Sequence, residues 1–255
     1  MRFAFDCGSA THVGRVRAHN EDGHLCDPEH GVWVVADGMG GEAAGDYASA
    51  TVISALSTIG NAASAKDLLG RTQDRLGRAH RHLLDYAKRK RARVVGATVV
   101  VLLAYQQYVA CIWSGDSRLY RLRDGRIAQL SRDHNEVGDL LSRGVINRDE
   151  ARSWRGRNAV TRAVGVYDEL ETEILYGDLR PGDTFVLCSD GLTLHVADEE
   201  IRDVVRGYDV DEAADKLIEL ALQRGGEDNV TAIVVRSKLQ SDDETTLEKP
   251  WRRSA

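Results

Sequence analysis

The sequence predicts an α+β fold with helices packed on a largely antiparallel sheet system. Three observations carry that expectation. Continuous apolar runs at residues 31–36 and 184–188 are short and suit strands buried on both faces. Tight hairpin signals join neighbouring β-rich runs, at Gln106-Gln107 and at Asp124-Gly125, where the residues tolerate positive φ. Elsewhere the apolar residues recur with helical period.

Taken in order, residues 31–36 form the first strand read from the pattern. A helix over 45–59 places Ala48, Val52, Leu56 and Ile59 on one stripe, and a second over 66–90 carries Leu68, Leu69, Leu76, Leu83, Leu84 and Ala87. Residues 97–105 and 108–113 form one hairpin, and 119–122 and 127–130 form another. The run at 184–188 is a buried strand. Residues 198–206 and 211–224 are amphipathic helices that open on acidic residues, as the helix dipole prefers. A strand over 229–235 closes the folded part. No internal repeat is present. A catalytic domain over 1–237 is expected, followed by a polar tail over 238–255 without fixed structure.

The chain has 255 residues, enough for one large domain or two small ones. Its net charge of −6 argues against a main task of holding nucleic acid or an anionic membrane. Asp6 interrupts the N-terminal residues before an apolar core develops, so no signal peptide is read there. The longest apolar run, 98–104, is too short to span a bilayer. Cys7, Cys26, Cys111 and Cys188 form no C-x-x-C pair, and the last two lie in apolar runs, which suits buried thiols in a reducing compartment. Secreted, membrane-spanning and disulfide-framework classes are thereby excluded, and a cytoplasmic protein is expected.

The acidic residues fall at informative places. Asp37 follows the first apolar run and precedes Gly38-Met39-Gly40-Gly41, while Asp190 lies in Ser189-Asp190-Gly191 after the run at 184–188. Asp116 lies in Ser114-Gly115-Asp116-Ser117, and Asp228 precedes the closing strand in Glu227-Asp228-Asn229. Any single Asp-Gly reads more readily as a turn. Four aspartates at strand ends can instead converge, with glycine allowing backbone carbonyls to approach an ion. Carboxylates so placed repel one another and call for cations between them. Hard oxygen donors without His or Cys suit Mg²⁺ or Mn²⁺ rather than Zn²⁺. These residues alone do not identify a reaction.

Further residues carry a resemblance. His12-Val13-Gly14-Arg15-Val16-Arg17-Ala18-His19-Asn20-Glu21-Asp22 is followed by Val35-Ala36-Asp37-Gly38-Met39-Gly40-Gly41, Gly96-Ala97-Thr98 and Ser114-Gly115-Asp116-Ser117-Arg118. Then come Ser131-Arg132-Asp133-His134, Thr161-Arg162-Ala163-Val164-Gly165, Ser189-Asp190-Gly191-Leu192-Thr193 and Glu227-Asp228-Asn229-Val230-Thr231. In this order the motifs resemble those of the metal-dependent serine/threonine protein phosphatases of type 2C, in their compact bacterial form, over about residues 3–236.

The resemblance implies two antiparallel sheets packed face to face with helices outside, a four-layer α-β-β-α sandwich. It implies two core Mn²⁺ or Mg²⁺ ions, bridged by Asp37, with the Gly38 carbonyl, Asp190 and Asp228 as further ligands. Asp116, with Asp190, corresponds to a weaker third site. Asp22 corresponds to an acidic residue that holds metal-bound water, with Glu21 beside it and Asn229 in the same outer shell. Arg17 corresponds to the arginine that clamps the substrate phosphate, a task its planar fork suits. The stretch 135–158 corresponds to a variable flap. Water activated between two metals attacks phosphorus directly, so neither Ser189 nor a cysteine is needed as nucleophile.

Met39 stands where many eukaryotic members carry a histidine proposed as general acid, which leaves that role unassigned here. His12, His19 and His195 read as structural or exposed residues. The basic run Lys88-Arg89-Lys90-Arg91 reads as a solvated helix end, with docking of an acidic phosphoprotein as its functional alternative. Asp242-Asp243-Glu244-Thr245-Thr246 reads as a solubilising tail or a phosphorylation site. The activity implied is hydrolysis of phosphoserine and phosphothreonine on proteins by a monomer that opposes a bacterial Ser/Thr kinase. Such stand-alone members are often paired with that kinase and a phosphothreonine-binding protein, sometimes in secretion-system control. A catalytically silent phosphoprotein-binding regulator and a small-molecule phosphomonoesterase are the alternatives. Retention of Asp37, Asp190, Asp228 and Arg17 speaks against the silent regulator.

Overall fold

Alternate residues of the central strands face different hydrophobic layers, and this alternation sets the architecture. The computed structural model describes residues 3–40, 44–147, 150, 154 and 159–240. One sheet has the order β1-β11-β10-β7-β8, built from β1 (Phe3–His12), β11 (Val230–Leu239), β10 (Thr184–Cys188), β7 (Arg118–Arg123) and β8 (Arg126–Gln129). The other has the order β2-β3-β5-β6-β9, from β2 (Asp22–Asp27), β3 (Val32–Met39), β5 (Val99–Tyr105), β6 (Tyr108–Ser114) and β9 (Glu173–Asp178), with the short β4 (Gly96–Ala97) paired on β3. Every pairing is antiparallel.

Between the sheets lie Trp33 and Val35 of β3, Val100 and Leu102 of β5, Phe185 and Leu187 of β10, and Ile233 and Val235 of β11. The intervening residues face outward. Val32, Val34 and Ala36 pack with Val101 and Leu103 under α1 (Ala44–Leu56) and α2 (Ala65–Lys90). Val186, Cys188, Ala232 and Val234 pack under α5 (Asp198–Gly207) and α6 (Val210–Gln223). Both faces of each sheet are therefore apolar, which is why the strands read as continuous runs although the sheets are antiparallel. Trp33 and Phe185 are fully buried, and truncating either to alanine should cost about 3–5 kcal/mol.

The helices are bounded by local chemistry. Ser64 caps α2 by accepting from the Asp67 N–H, and Asp209 caps α6 by accepting from the Asp211 and Glu212 N–H groups. Lys88, Arg89 and Lys90 occupy the last turn of α2, where they complement the dipole, and Lys90 sits 5.7 Å above the Tyr86 ring. Two short helices, α3 (Glu136–Ser142) and α4 (Asp190–Thr193), complete the set among the described residues.

Several sequence expectations need correction. β3 runs on to Met39, so Asp37 and Gly38 lie inside the strand rather than after it. Backbone pairing of Asp37 with Asp22 and of Gly38 with Ala97 prolongs the strand past the end of its apolar run. The closing strand likewise reaches Leu239, held by pairing with Phe3 of β1. β1, β2 and β9 were not evident, because each is half-buried and lacks a clean alternation. Residues 148–149, 151–153 and 155–158 of the flap, and 241–255 of the tail, lie outside the described residues. Among those described, no helix is long and apolar enough to cross a membrane.

Candidate metal centre

One end of the sandwich gathers the acidic residues. β2 opens on Asp22, directly opposite Asp37 near the end of β3. Asp190 follows β10, Asp228 precedes β11, and Asp116 lies in the turn from β6 to β7. Because adjacent antiparallel strands start and stop together, these termini share one end and their side chains converge. The predicted ligand positions are thus brought together from both sheets.

A hydroxyl-rich layer fixes them from beneath. Asp22 Oδ2 accepts from Ser189 Oγ at 2.8 Å and Thr231 Oγ1 at 2.7 Å. Asn229 ties the 13–21 loop to the start of β11: its Oδ1 accepts from the Glu21 N–H, and its Nδ2 donates to the carbonyls of Val13 and His19. Glu21 places its carboxylate at the start of α1, where the Gly45 backbone donates to it, and its carbonyl accepts from the Gly38 N–H at 3.0 Å. A Cβ at Gly38 would lie 2.0 Å from the Gly45 carbonyl oxygen, so only glycine fits between these segments.

Electrostatics mark the cluster as a cation site. Burial, then the neighbouring carboxylates, pushes the Asp37 carboxyl well above the ordinary 3.8. Burial pushes Asp22 to about 7 and Asp190 to about 6, against the hydrogen bonds that hold each down. Asp116 rises to about 8 for the same reason, with Asp190 and Asp133 as its charged neighbours. Asp22 Oδ1 and Asp190 Oδ1 are buried without a hydrogen-bond partner. Crowded carboxylates with orphaned oxygens fit hard divalent cations, which would replace protons as the source of positive charge.

Among the described residues, no three His, Cys, Asp or Glu side chains stand close enough together to hold a metal ion by themselves. An arrangement of carboxylate pairs plus a carbonyl leaves positions for water, which Mg²⁺ retains and a closed structural Zn²⁺ site does not.

Arg17 lies at the mouth, its side chain 54% exposed, and donates to Asp228 Oδ2 at 2.7 Å. Asp116 is buried and receives a long 3.5 Å contact from Asn135 Nδ2. Beside it Gly115 has φ 120°, and a Cβ there would meet Thr98 at 2.5 Å. His134 grips this turn twice: its N–H donates to the Gly115 carbonyl, and its Nδ1 accepts from the Gly115 N–H. Nδ1 is therefore unprotonated, so Nε2 carries the hydrogen and faces Glu173 Oε1 at 3.2 Å. Burial, with Arg162 nearby, lowers the His134 pKa and keeps the ring neutral.

A cavity of about 1080 Å³ opens from Asp116 and Asp190 between α3 and the segment after α4, with His195 and Glu199 on its wall. His195 Nε2 accepts from the Glu227 N–H, and His12 Nδ1 accepts from the Gly14 N–H.

Sequence reasoning gave no role to Thr98, Ser189, Thr231, Arg118 or Asp133. Arg118 donates through Nε and NH2 to Asp133 and through NH1 to the Tyr120 hydroxyl, which donates in turn to Asp198. This half-buried guanidinium opposes the rise of the Asp190 carboxyl. The only signal was the repeated polar spacing inside the motifs, which does not say which hydroxyl faces which carboxylate.

Known proteins resemble the chain over nearly the same span. The profile of the family described as Protein phosphatase 2C matches residues 5–230. The serine/threonine protein phosphatase PstP of Mycobacterium tuberculosis is 36% identical over 222 residues, covering 87% of this chain; the chain spans 43% of that relative's length. The solved structure of PppA, described as a key regulatory component of T6SS in Pseudomonas aeruginosa, superposes with a TM-score of 0.85 at 40% identity, covering 92% of this chain and 100% of that one. The catalytic domain of PstP in complex with two manganese ions superposes with a TM-score of 0.85 at 33% identity, covering 93% of this chain and 100% of that one. The fold, the acidic end and these matches together establish that the chain belongs to the protein phosphatase 2C family.

Proposed function

We propose that the chain hydrolyses phosphoserine and phosphothreonine monoesters on proteins, using two Mn²⁺ or Mg²⁺ ions held by Asp37, the Gly38 carbonyl, Asp190 and Asp228. The observation that carries this reading is the convergence of partly buried, mutually repelling carboxylates, two of them with buried, orphaned oxygens, at one end of the sandwich. Divalent cations bound there supply Lewis acidity, acidifying water and withdrawing charge from a phosphoryl oxygen.

The chain's own groups do the rest. The Arg17 guanidinium, exposed at the mouth, presents N–H donors to the phosphate and fixes its orientation. Asp22, its Oδ2 held by Ser189 and Thr231, keeps Oδ1 free to take a proton from the attacking water. Glu21 and Asn229 hold the loop that carries Arg17 at its distance from Asp228. Asp116, secured through Gly115 by His134, provides a weaker third position. The cavity beyond it accepts the polypeptide that flanks the phosphorylated residue.

The reading extends to a monomeric, cytoplasmic protein that opposes a Ser/Thr kinase, with Mg²⁺ able to replace Mn²⁺ and a phosphothreonine-binding protein as a further partner. The likeness to PppA, a key regulatory component of T6SS, supports a regulatory role for the chain. The catalytic domain over 1–237 and the tail over 238–255 are part of the same proposal, with the folded part running two residues further, to Leu239 at the end of β11; the family span 5–230 is in keeping with it.

Phosphate release from a phosphothreonyl peptide tests the reading. The protein should release phosphate with Mn²⁺, stop on adding a chelator, and resume when Mn²⁺ is restored, while Asp190→Asn stays inactive throughout. Activity that persists in excess chelator would overturn it. Turnover of small phosphomonoesters alone, with none on phosphopeptides, would favour the small-molecule phosphomonoesterase.

A further inference from the structure

β1 and β2 belong to different sheets, yet their side chains meet along one edge of the sandwich. Ser9 Oγ and His24 Nε2 are 3.3 Å apart. Two residues along each strand, Thr11 and Asp22 both reach the Thr231 hydroxyl. The strands therefore run antiparallel with Ser9 facing His24 and Thr11 facing Asp22. Side chains alternate along a strand, so the next facing pair in the other direction is Cys7 and Cys26. Both are partly buried against the core between the sheets, and neither is closed to solvent.

The local chemistry agrees with this register. The two thiols lie close enough to perturb one another, and Ser9 acts on the Cys26 sulfur as well. Donation from Cys7, and then from Ser9, favours the Cys26 thiolate and draws its pKa down, while the Cys7 thiol is pushed up. Cys111 and Cys188 differ: both are buried, and burial pushes each thiol up, Cys188 to about 12. One nucleophilic thiolate beside one resolving thiol is the arrangement from which a disulfide closes.

We propose that Cys7 and Cys26 are an oxidisable dithiol, a modification site that closes to a disulfide tying the edge strands of the two sheets together. With hydrogen peroxide as the oxidant, the Cys26 thiolate attacks one peroxide oxygen. The O–O bond breaks, Cys26 becomes a sulfenic acid, and the departing hydroxide takes up a proton to become water. The Cys7 sulfur then attacks the sulfenic sulfur, the S–O bond breaks, and the hydroxyl leaves with the Cys7 proton as a second water. Two thiols and one peroxide give one disulfide and two waters. The closed loop contains Arg17, Glu21 and Asp22, so the bond restrains the segment that borders the acidic end.

The test treats the full chain, loaded with Mn²⁺, with hydrogen peroxide, blocks free thiols with iodoacetamide, and maps peptides without reduction. A Cys7–Cys26 linked peptide should appear in most chains and vanish with dithiothreitol. Cys7→Ser and Cys26→Ser should both abolish it, with Cys7→Ala as the substitute if the serine variant does not fold. Because the pair already faces across the edge, the linked protein should melt a few degrees higher than the reduced one, and the variants should show no rise. Over-oxidation of Cys26 without a link, a link between two copies on a non-reducing gel, or a link that lowers the melting point would each overturn the proposal.

Discussion

Arg17 NH2 donates to Asp228 Oδ2 at 2.7 Å, joining residues 211 positions apart in sequence at the mouth of the acidic centre. The contact explains how an exposed arginine on a loop is held where phosphate would arrive. It is more a matter of position than of stability, since an exposed pair of this kind contributes about 0–1 kcal/mol.

Arg17→Ala should therefore raise KM for a phosphopeptide about tenfold while shifting the melting point by less than about two degrees. Its Mn²⁺ affinity, read by calorimetry, should fall by less than its substrate affinity. An Arg17→Ala protein unable to bind Mn²⁺ would assign the arginine to the metal-holding frame instead.

Asp37→Asn and Asp190→Asn should each lower kcat by at least about a hundredfold with the circular dichroism spectrum unchanged, because charge is lost and volume kept. Metal content should fall in both. Full turnover with normal metal content in either variant would contradict the ligand assignment.

Much of this was legible in the sequence, for identifiable reasons. Asp190 and Asp228 stand beside strongly apolar strands, so their location at strand ends follows from the pattern alone, whereas Asp37 marks the end of its apolar run but not of β3, which pairing carries on to Met39. β10 and the buried part of β3 are legible because both faces are apolar. The layer beneath was not: Thr231 and Ser189 contact Asp22 across 209 and 167 residues, and only the packing of the two sheets brings them together. β1 and β2 escaped notice for a related reason, since Ser9, His24 and the two cysteines face each other along a partly exposed edge.

The layer beneath Asp22 gives a prediction of its own. Thr231→Val removes one hydroxyl donor to Oδ2 and leaves the carboxylate less stabilised. The Asp22 carboxyl should rise further, and Mn²⁺ affinity should fall about ten- to a hundredfold, as for other outer-layer changes. Isothermal titration of wild type and variant decides; equal affinities would show that Asp22 does not support the centre.

Without metal, stability should fall as pH rises. The carboxyls of Asp190, Asp22 and Asp116 sit at about 6, 7 and 8, above the ordinary 3.8, so the fold favours their protonated forms. That contribution is fully present below pH about 4 and is lost as pH climbs through 6 to 8. Metal-free protein should melt lower at pH 8 than at pH 5.5, and added Mn²⁺ should remove most of the difference. A metal-free melting point that rises over this window would contradict the account of a repelling cluster.

Asp116→Ala should leave the two core ions bound and slow turnover of phosphopeptides more than that of p-nitrophenyl phosphate, whose leaving group needs little protonation. Turnover of both substrates, with bound metal counted in parallel, tests this. Equal losses, or loss of a core ion, would place Asp116 in the main centre.

The most direct test of the central claim is an anomalous difference map from crystals grown with Mn²⁺ and recorded at the manganese edge. The account predicts two strong peaks about 3.5–4 Å apart, flanked by Asp37, the Gly38 carbonyl, Asp190 and Asp228. No peak between these residues, or a single one bound elsewhere, would contradict it.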